Sequence, residues 1–140
     1  MMTAAAGIYL FWNAVSDIRT REIPLALSGL FALAGLIMCA YQGRPLPSVA
    51  ASVMPGLLLL VGSLLSDGAL GAGDGIAVAV LGLFENADML AADCAAGFLA
   101  AGFGAFLMLA SGRKGGASLP FLPFLAAGFA AVHIVCALQC

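Results

Sequence analysis

The chain has 140 residues, 64% of them hydrophobic and only 9% charged, and its mean hydropathy of +1.14 lies outside the range of water-soluble domains, where about a quarter of residues are charged. Seven acids against five bases give a formal net charge of −2, which excludes the clustered Lys/Arg surface that nucleic acid needs. The composition predicts an all-α, polytopic transmembrane helix bundle whose solvent is the lipid bilayer, with no nucleic-acid partner.

Six apolar segments follow in chain order. The first, Thr3 to Val15, is short and ends just before Asp17. With no basic stretch ahead of it and no small-residue cleavage site after it, it is expected to stay as a span and not be removed as a secretory signal. The second runs from Leu25 to Tyr41 and the third from Val49 to Leu65. The fourth, Gly75 to Phe84, is again short and opens just after Asp74. The fifth spans Met89 to Ala110 and the sixth Phe121 to Leu138. No linker or repeat divides the chain, so residues 1–140 read as a single domain of about six spans. Glycines within the spans, such as Gly97, Gly102 and Gly104, allow close helix packing.

Orientation follows from the loops. Arg19, Arg21, Arg113 and Lys114 fall in the first and fifth loops, which six spans put on one side, while Arg44 alone falls in the second. The excess of bases assigns loops one, three and five to the cytoplasm and both termini to the outside. Glu85 and Asp88, in loop four, are then expected outside. Asp17 and Asp74 come to one depth on the cytoplasmic face, because their spans run in opposite directions.

Ionisable residues at membrane depth usually face the bundle interior or water and mark function. Each aspartate also has a purely structural reading. Asp17 can pair with Arg19 or Arg21, and Asp74 can cap the helix it precedes. Gly71 and Gly73 beside Asp74 leave room for an extended backbone or a second helix. Two carboxylates in one site do not both ionise easily, and one protonated and one ionised acid is the state that activates water against a peptide carbonyl. His133 reads as a neutral imidazole bonded to a backbone carbonyl. Cys39, Cys94, Cys136 and Cys140 form no C-x-x-C pair and read as small apolar residues, so neither a metal nor a cofactor is expected.

Three runs together resemble the type IV prepilin peptidases: Gly-x-Gly-Asp at Gly71 to Asp74, Asp-Ile-Arg-x-Arg-x-Ile-Pro from Asp17 to Pro24, and Pro-Phe-x-Pro-Phe-Leu from Pro120 to Leu125. The resemblance covers almost the whole chain. It implies a Gly-x-Gly-Asp-type aspartic endopeptidase in the bacterial inner membrane, cutting the leader from prepilin-like proteins at the cytoplasmic face. Asp17 and Asp74 match the two catalytic aspartates, with Gly71 and Gly73 as the signature glycines. Ile76 stands where the family often has Lys, and Leu25 where it often has Asn. The chain opens directly on a span, without the cysteine-bearing portion tied to methylation, so it looks like the short, peptidase-only form of tight-adherence pilus systems. Cleavage is implied and methyl transfer is not.

The implied partner is a prepilin-like protein with a basic leader and an apolar helix. Glu22 or Asp67 could attract the leader while the helix docks in lipid. Pro120 and Pro123 are expected to fix the start of the sixth helix. Two other readings stay open: a small ion- or proton-coupled transporter or channel subunit using the same acids, and a related protease acting on signal peptides or receptor stubs.

Overall fold

The computed structural model describes residues 2–20, 23–66, 71–111 and 121–139. They form α1 (Met2–Thr20), α2 (Leu25–Tyr41), α3 (Leu46–Leu65), α4 (Ala72–Phe84), α5 (Ala87–Ala110) and α6 (Phe121–Gln139), with no strand among the described residues. Helix α2 has the bounds read from the sequence because both ends carry backbone signals. Pro24 precedes it in extended conformation. At the other end Gly43, at φ 63°, donates to Ala40 O at 3.1 Å while Arg44 N donates to Cys39 O at 3.0 Å. These two bonds are the Schellman arrangement, whose left-handed position favours glycine.

Other helices extend past their apolar segments. Helix α1 continues through the polar residues Ser16 to Thr20, where Thr20 Oγ1 donates to Ser16 O at 3.0 Å. Helix α3 starts at Leu46, its proline tolerated in the first turn. Helix α4 starts at Ala72, with Gly71 as its cap residue. Asp74 therefore sits inside the first turn of α4 and is not its cap.

Helix α4 is the centre of the bundle. It packs most extensively on α3 and also touches α1, α2, α5 and α6. From Ala77 to Phe84 nearly every residue is buried. At 13 residues it is only about 20 Å long, and its burial among longer helices removes the need to meet lipid along its whole length. Around it, α3, α5 and α6 are each long and apolar enough to cross a membrane, while α2 is a shorter apolar helix. Their outer faces expose Leu33, Ile37, Leu58, Phe103, Phe106 and Ile134, a surface far too apolar for water and suited to lipid.

Glycine sets the spacing at the tightest seam. Gly56 of α3 lies against the backbone of Ala79, and Gly82 of α4 lies against the carbonyl of Ser52. One turn beyond Ala79, toward Asp74, a Cβ on Gly75 would come within 2.8 Å of Leu60 N. Pro55 interrupts the hydrogen-bond ladder of α3 beside this seam. Small residues at such positions let packing contacts accumulate where water exclusion supplies no drive.

Cross-contacts sort the connections into two ends. Gln42 Nε2 donates to Met2 Sδ at 2.8 Å. Arg44 donates to Leu83 O at 3.0 Å and Glu85 O at 2.9 Å. His133 Nε2 lies 3.1 Å from Glu85 Oε1. The start of α1, the α2–α3 and α4–α5 connections and the last turns of α6 thus share one end. At the other end Ile23 packs on Gly73, beside Asp17 and Asp74. Adjacent helices alternate in direction.

Candidate active site

Asp17 belongs to the last turn of α1 and Asp74 to the first turn of α4. Both are half-buried, and Asp17 Oδ2 is shielded from solvent. The Asp17 carboxylate lies within electrostatic range of Asp74. The two acids singled out in the sequence are therefore neighbours at one end of the bundle.

The glycines of the Gly-x-Gly-Asp run have separate tasks. A Cβ on Gly71 would sit 2.8 Å from Asp74 Oδ2, so the carboxylate folds back into the space this glycine leaves. Gly73 turns its bare face to the Ile23 side chain, which occupies the place a Cβ would take. The second run thereby seats on the first: Ile23, six residues after Asp17, locks onto the residue before Asp74. Glu22 and Asp67, the expected leader contacts, lie outside the described residues, as do Arg21, Arg113, Lys114, Pro120 and Cys140. In the third run, Pro123 falls in the first turn of α6. Phe121 packs at a tilt against Phe98 with centroids 4.8 Å apart, and Phe124 covers Gly104. This run fastens α6 to α5.

No family model, curated protein or solved structure matches the chain.

A second polar cluster lies at the far end of α4, at Glu85, eleven residues and about 16 Å along the axis from Asp74. Glu85 follows α4, Asp93 lies on the second turn of α5, and His133 lies on α6. One ligand-type atom from each falls within 4.8 Å of the others. Asp93 is fully buried and Glu85 is 6% exposed, yet none of their four carboxylate oxygens accepts a well-formed hydrogen bond. His133 meets a backbone carbonyl, as the sequence suggests: Nδ1 is 3.0 Å from Phe129 O, and the ring stacks on Phe129 at 4.1 Å. Its other nitrogen faces Glu85.

Both loop-four acids fall at the end away from Asp17 and Asp74, where Asp88 is exposed and Glu85 is buried. The reason is Arg44. Its guanidinium fastens the last carbonyls of α4 and also donates to Ser52 Oγ at 3.2 Å, satisfying acceptors that a helix end leaves open and drawing the turn inward. Asp93 escaped the sequence reading altogether. The signal was present, an acid inside an otherwise apolar segment of membrane-spanning length.

Burial, then the facing Asp93 carboxylate, pushes Glu85 up to about 9 from an ordinary 4.5. Between those values the folded protein holds a proton that the unfolded chain releases, so this group's contribution to stability falls as pH rises through the window. In chelator-treated buffer, raising the pH from about 5 to about 9 should lower the wild-type unfolding midpoint more than that of Glu85→Gln. Parallel pH profiles for the two proteins would remove this assignment.

Proposed function

We propose that the chain is a membrane-embedded aspartic endopeptidase that removes the N-terminal leader from type IV prepilin-like proteins at the cytoplasmic face of the bacterial inner membrane. The observation that carries this reading is the meeting of Asp17 and Asp74 from antiparallel helices at one end of an apolar bundle. Support comes from the Asp17 to Pro24 run interlocking with the Gly-x-Gly-Asp run through Ile23 and Gly73. The excess of bases in the first and fifth loops supports a cytoplasmic position for that end, and hence six spans with both termini outside.

In this mechanism one carboxyl of the pair is ionised and the other protonated, because a second negative charge in the same site is costly. The ionised group takes a proton from water as the water oxygen bonds to the scissile carbonyl carbon. The protonated group hydrogen-bonds the developing oxyanion. Collapse of the tetrahedral intermediate breaks the C–N bond, and the amine leaves with a proton from the dyad. The products are a leader with a new carboxyl end and a mature protein with a free amine. The substrate's apolar helix lies against the lipid-exposed bundle, and its basic leader reaches the acids, with Glu22 and Asp67 as candidate attractors. The proposal covers cleavage alone and no methyl transfer.

Co-expression with a prepilin-like protein tests the reading. The expected result is a faster-migrating product that depends on both aspartates; unprocessed substrate beside well-folded protein would refute it. Gly73→Ala should lower cleavage about 10-fold, since a methyl there moves Ile23 and shifts Asp74 by a fraction of an ångström. Its folded yield should stay near wild type because the Ile23 side-chain end can rotate away. Gly29→Ala, a position with nothing within 4 Å, should leave cleavage unchanged.

The buried Glu85 and Asp93, with the half-buried His133 beside them, favour a second reading, an ion- or proton-coupled carrier. A carrier would move protons or cations across vesicles and leave the prepilin intact, so the same protein preparation separates the two.

A further inference from the structure

We propose that Glu85, Asp93 and His133 bind one first-row divalent metal ion of the zinc class, at the end of the bundle opposite Asp17 and Asp74. This inference does not depend on the peptidase reading.

The geometry supplies three ligands from three separate elements. His133 places Nδ1 3.0 Å from the Phe129 carbonyl, an acceptor, so Nδ1 donates there and Nε2, 3.1 Å from Glu85 Oε1, is the nitrogen left to bind an ion. Metal-bound histidines commonly have this outer partner, which fixes tautomer and ring plane. Stacking on Phe129 holds the same plane. Asp93, fully buried, has two oxygens without a hydrogen-bond partner, and its Oδ1 lies 3.9 Å from His133 Nδ1, so its carboxylate must rotate toward the Nε2 side to share an ion with Glu85.

Carboxylates and a neutral imidazole nitrogen are all acceptors, so without an ion the cluster depends on a proton shared among its members. A proton can bridge two of the three groups. A divalent ion meets all three, and its charge cancels that of the two acids, removing the cost of burying them unneutralised.

The donor set of one nitrogen and two carboxylates suits Zn²⁺ and its neighbours and not Ca²⁺, which takes six to eight oxygens. Bonds of about 2.0–2.2 Å to zinc put adjacent ligand atoms about 3–3.5 Å apart. The His133–Glu85 pair already has that spacing, and the remaining separations, within 4.8 Å, close by carboxylate rotation. His133 is 24% exposed along its side chain, which gives the ion a route in and water a fourth position. The surroundings hold the ligands in place: Arg44 ties down the Glu85 backbone. Gly128 seats α6 on the Asp93 turn, where a Cβ would lie 3.0 Å from Asp93 O.

The test uses the full chain purified in detergent, stripped with chelator and titrated with Co²⁺ as the spectroscopic probe. One Co²⁺ per chain should bind with visible ligand-field absorption, Zn²⁺ should displace it, and the thermal midpoint should rise with metal. Glu85→Gln and Asp93→Asn keep side-chain shape while replacing one carboxylate oxygen by an amide nitrogen, so both should fold. Each should weaken Co²⁺ binding by about 100-fold or more, beyond the loss typical of outer-shell partners. Asp88→Asn should bind as wild type. No Co²⁺ absorption from the wild-type protein, or binding by Glu85→Gln and Asp93→Asn equal to wild type, would overturn the proposal.

Discussion

Asp74→Asn is expected to lower leader cleavage by about 10³-fold or more, and Asp17→Asn by a similar factor, while each variant keeps the size-exclusion profile and helical spectrum of the wild type. The estimate follows from the rate contribution of a positioned acid or base, about 10²–10⁴-fold, with further loss because one remaining carboxyl cannot serve as donor and acceptor together. The double variant should be scarcely slower than either single one, since the two acids act as a unit. Folding should survive. Both residues are half-buried at helix ends, and each amide replaces a carboxylate without changing shape. Quantifying cleaved and uncleaved substrate against the amount of folded protein separates lost chemistry from lost protein. Full cleavage by either variant would remove the dyad.

The second large effect concerns the α3–α4 seam. Gly82→Leu or Gly56→Leu should abolish most folded protein, because the new side chain would meet backbone atoms of the opposing helix, Ser52 O in one case and Ala79 N and Cα in the other. Backbone cannot swing away as a side-chain end can, so the cost is about 3 kcal/mol or more. Even Gly82→Ala should shift unfolding in a denaturing-detergent titration, and cleavage should fall with it, since α3 holds the helix that carries Asp74. Gly102→Ala, with no atom within 4 Å of its added methyl, should unfold with the wild type. Equal stability of the Gly82 and Gly102 variants would mean that α3 and α4 do not approach as closely as the Gly82–Ser52 contact requires.

Much of this architecture is legible in the sequence because lipid makes hydropathy a strong signal. Helix α2 has the bounds that Pro24 and Gly43 announce. The proximity of Asp17 and Asp74 follows from alternating helix direction alone. What hydropathy reads is depth in lipid and not helicity, which is why α1 runs on through Ser16 to Thr20 and α4 begins before Asp74. Gly71 and Gly73 are recognisable as open positions, but only three dimensions show what fills them, the Asp74 carboxylate and Ile23. Glu85 looks like an ordinary loop acid until Arg44, from a different connection, pulls its turn into the bundle. Asp93 was legible in principle, yet its importance depends on two partners, eight residues before it and forty after it, that no periodicity connects.

Hydrolysis at the Asp17/Asp74 pair is tested most directly by incubating the purified protein with a prepilin-like substrate in heavy-oxygen water and weighing both products by mass spectrometry. The account predicts one heavy oxygen in the new carboxyl end of the leader for the wild type, and intact substrate for Asp17→Asn and Asp74→Asn. Substrate left whole by the folded wild-type protein, or cleavage persisting in the double variant, would contradict it.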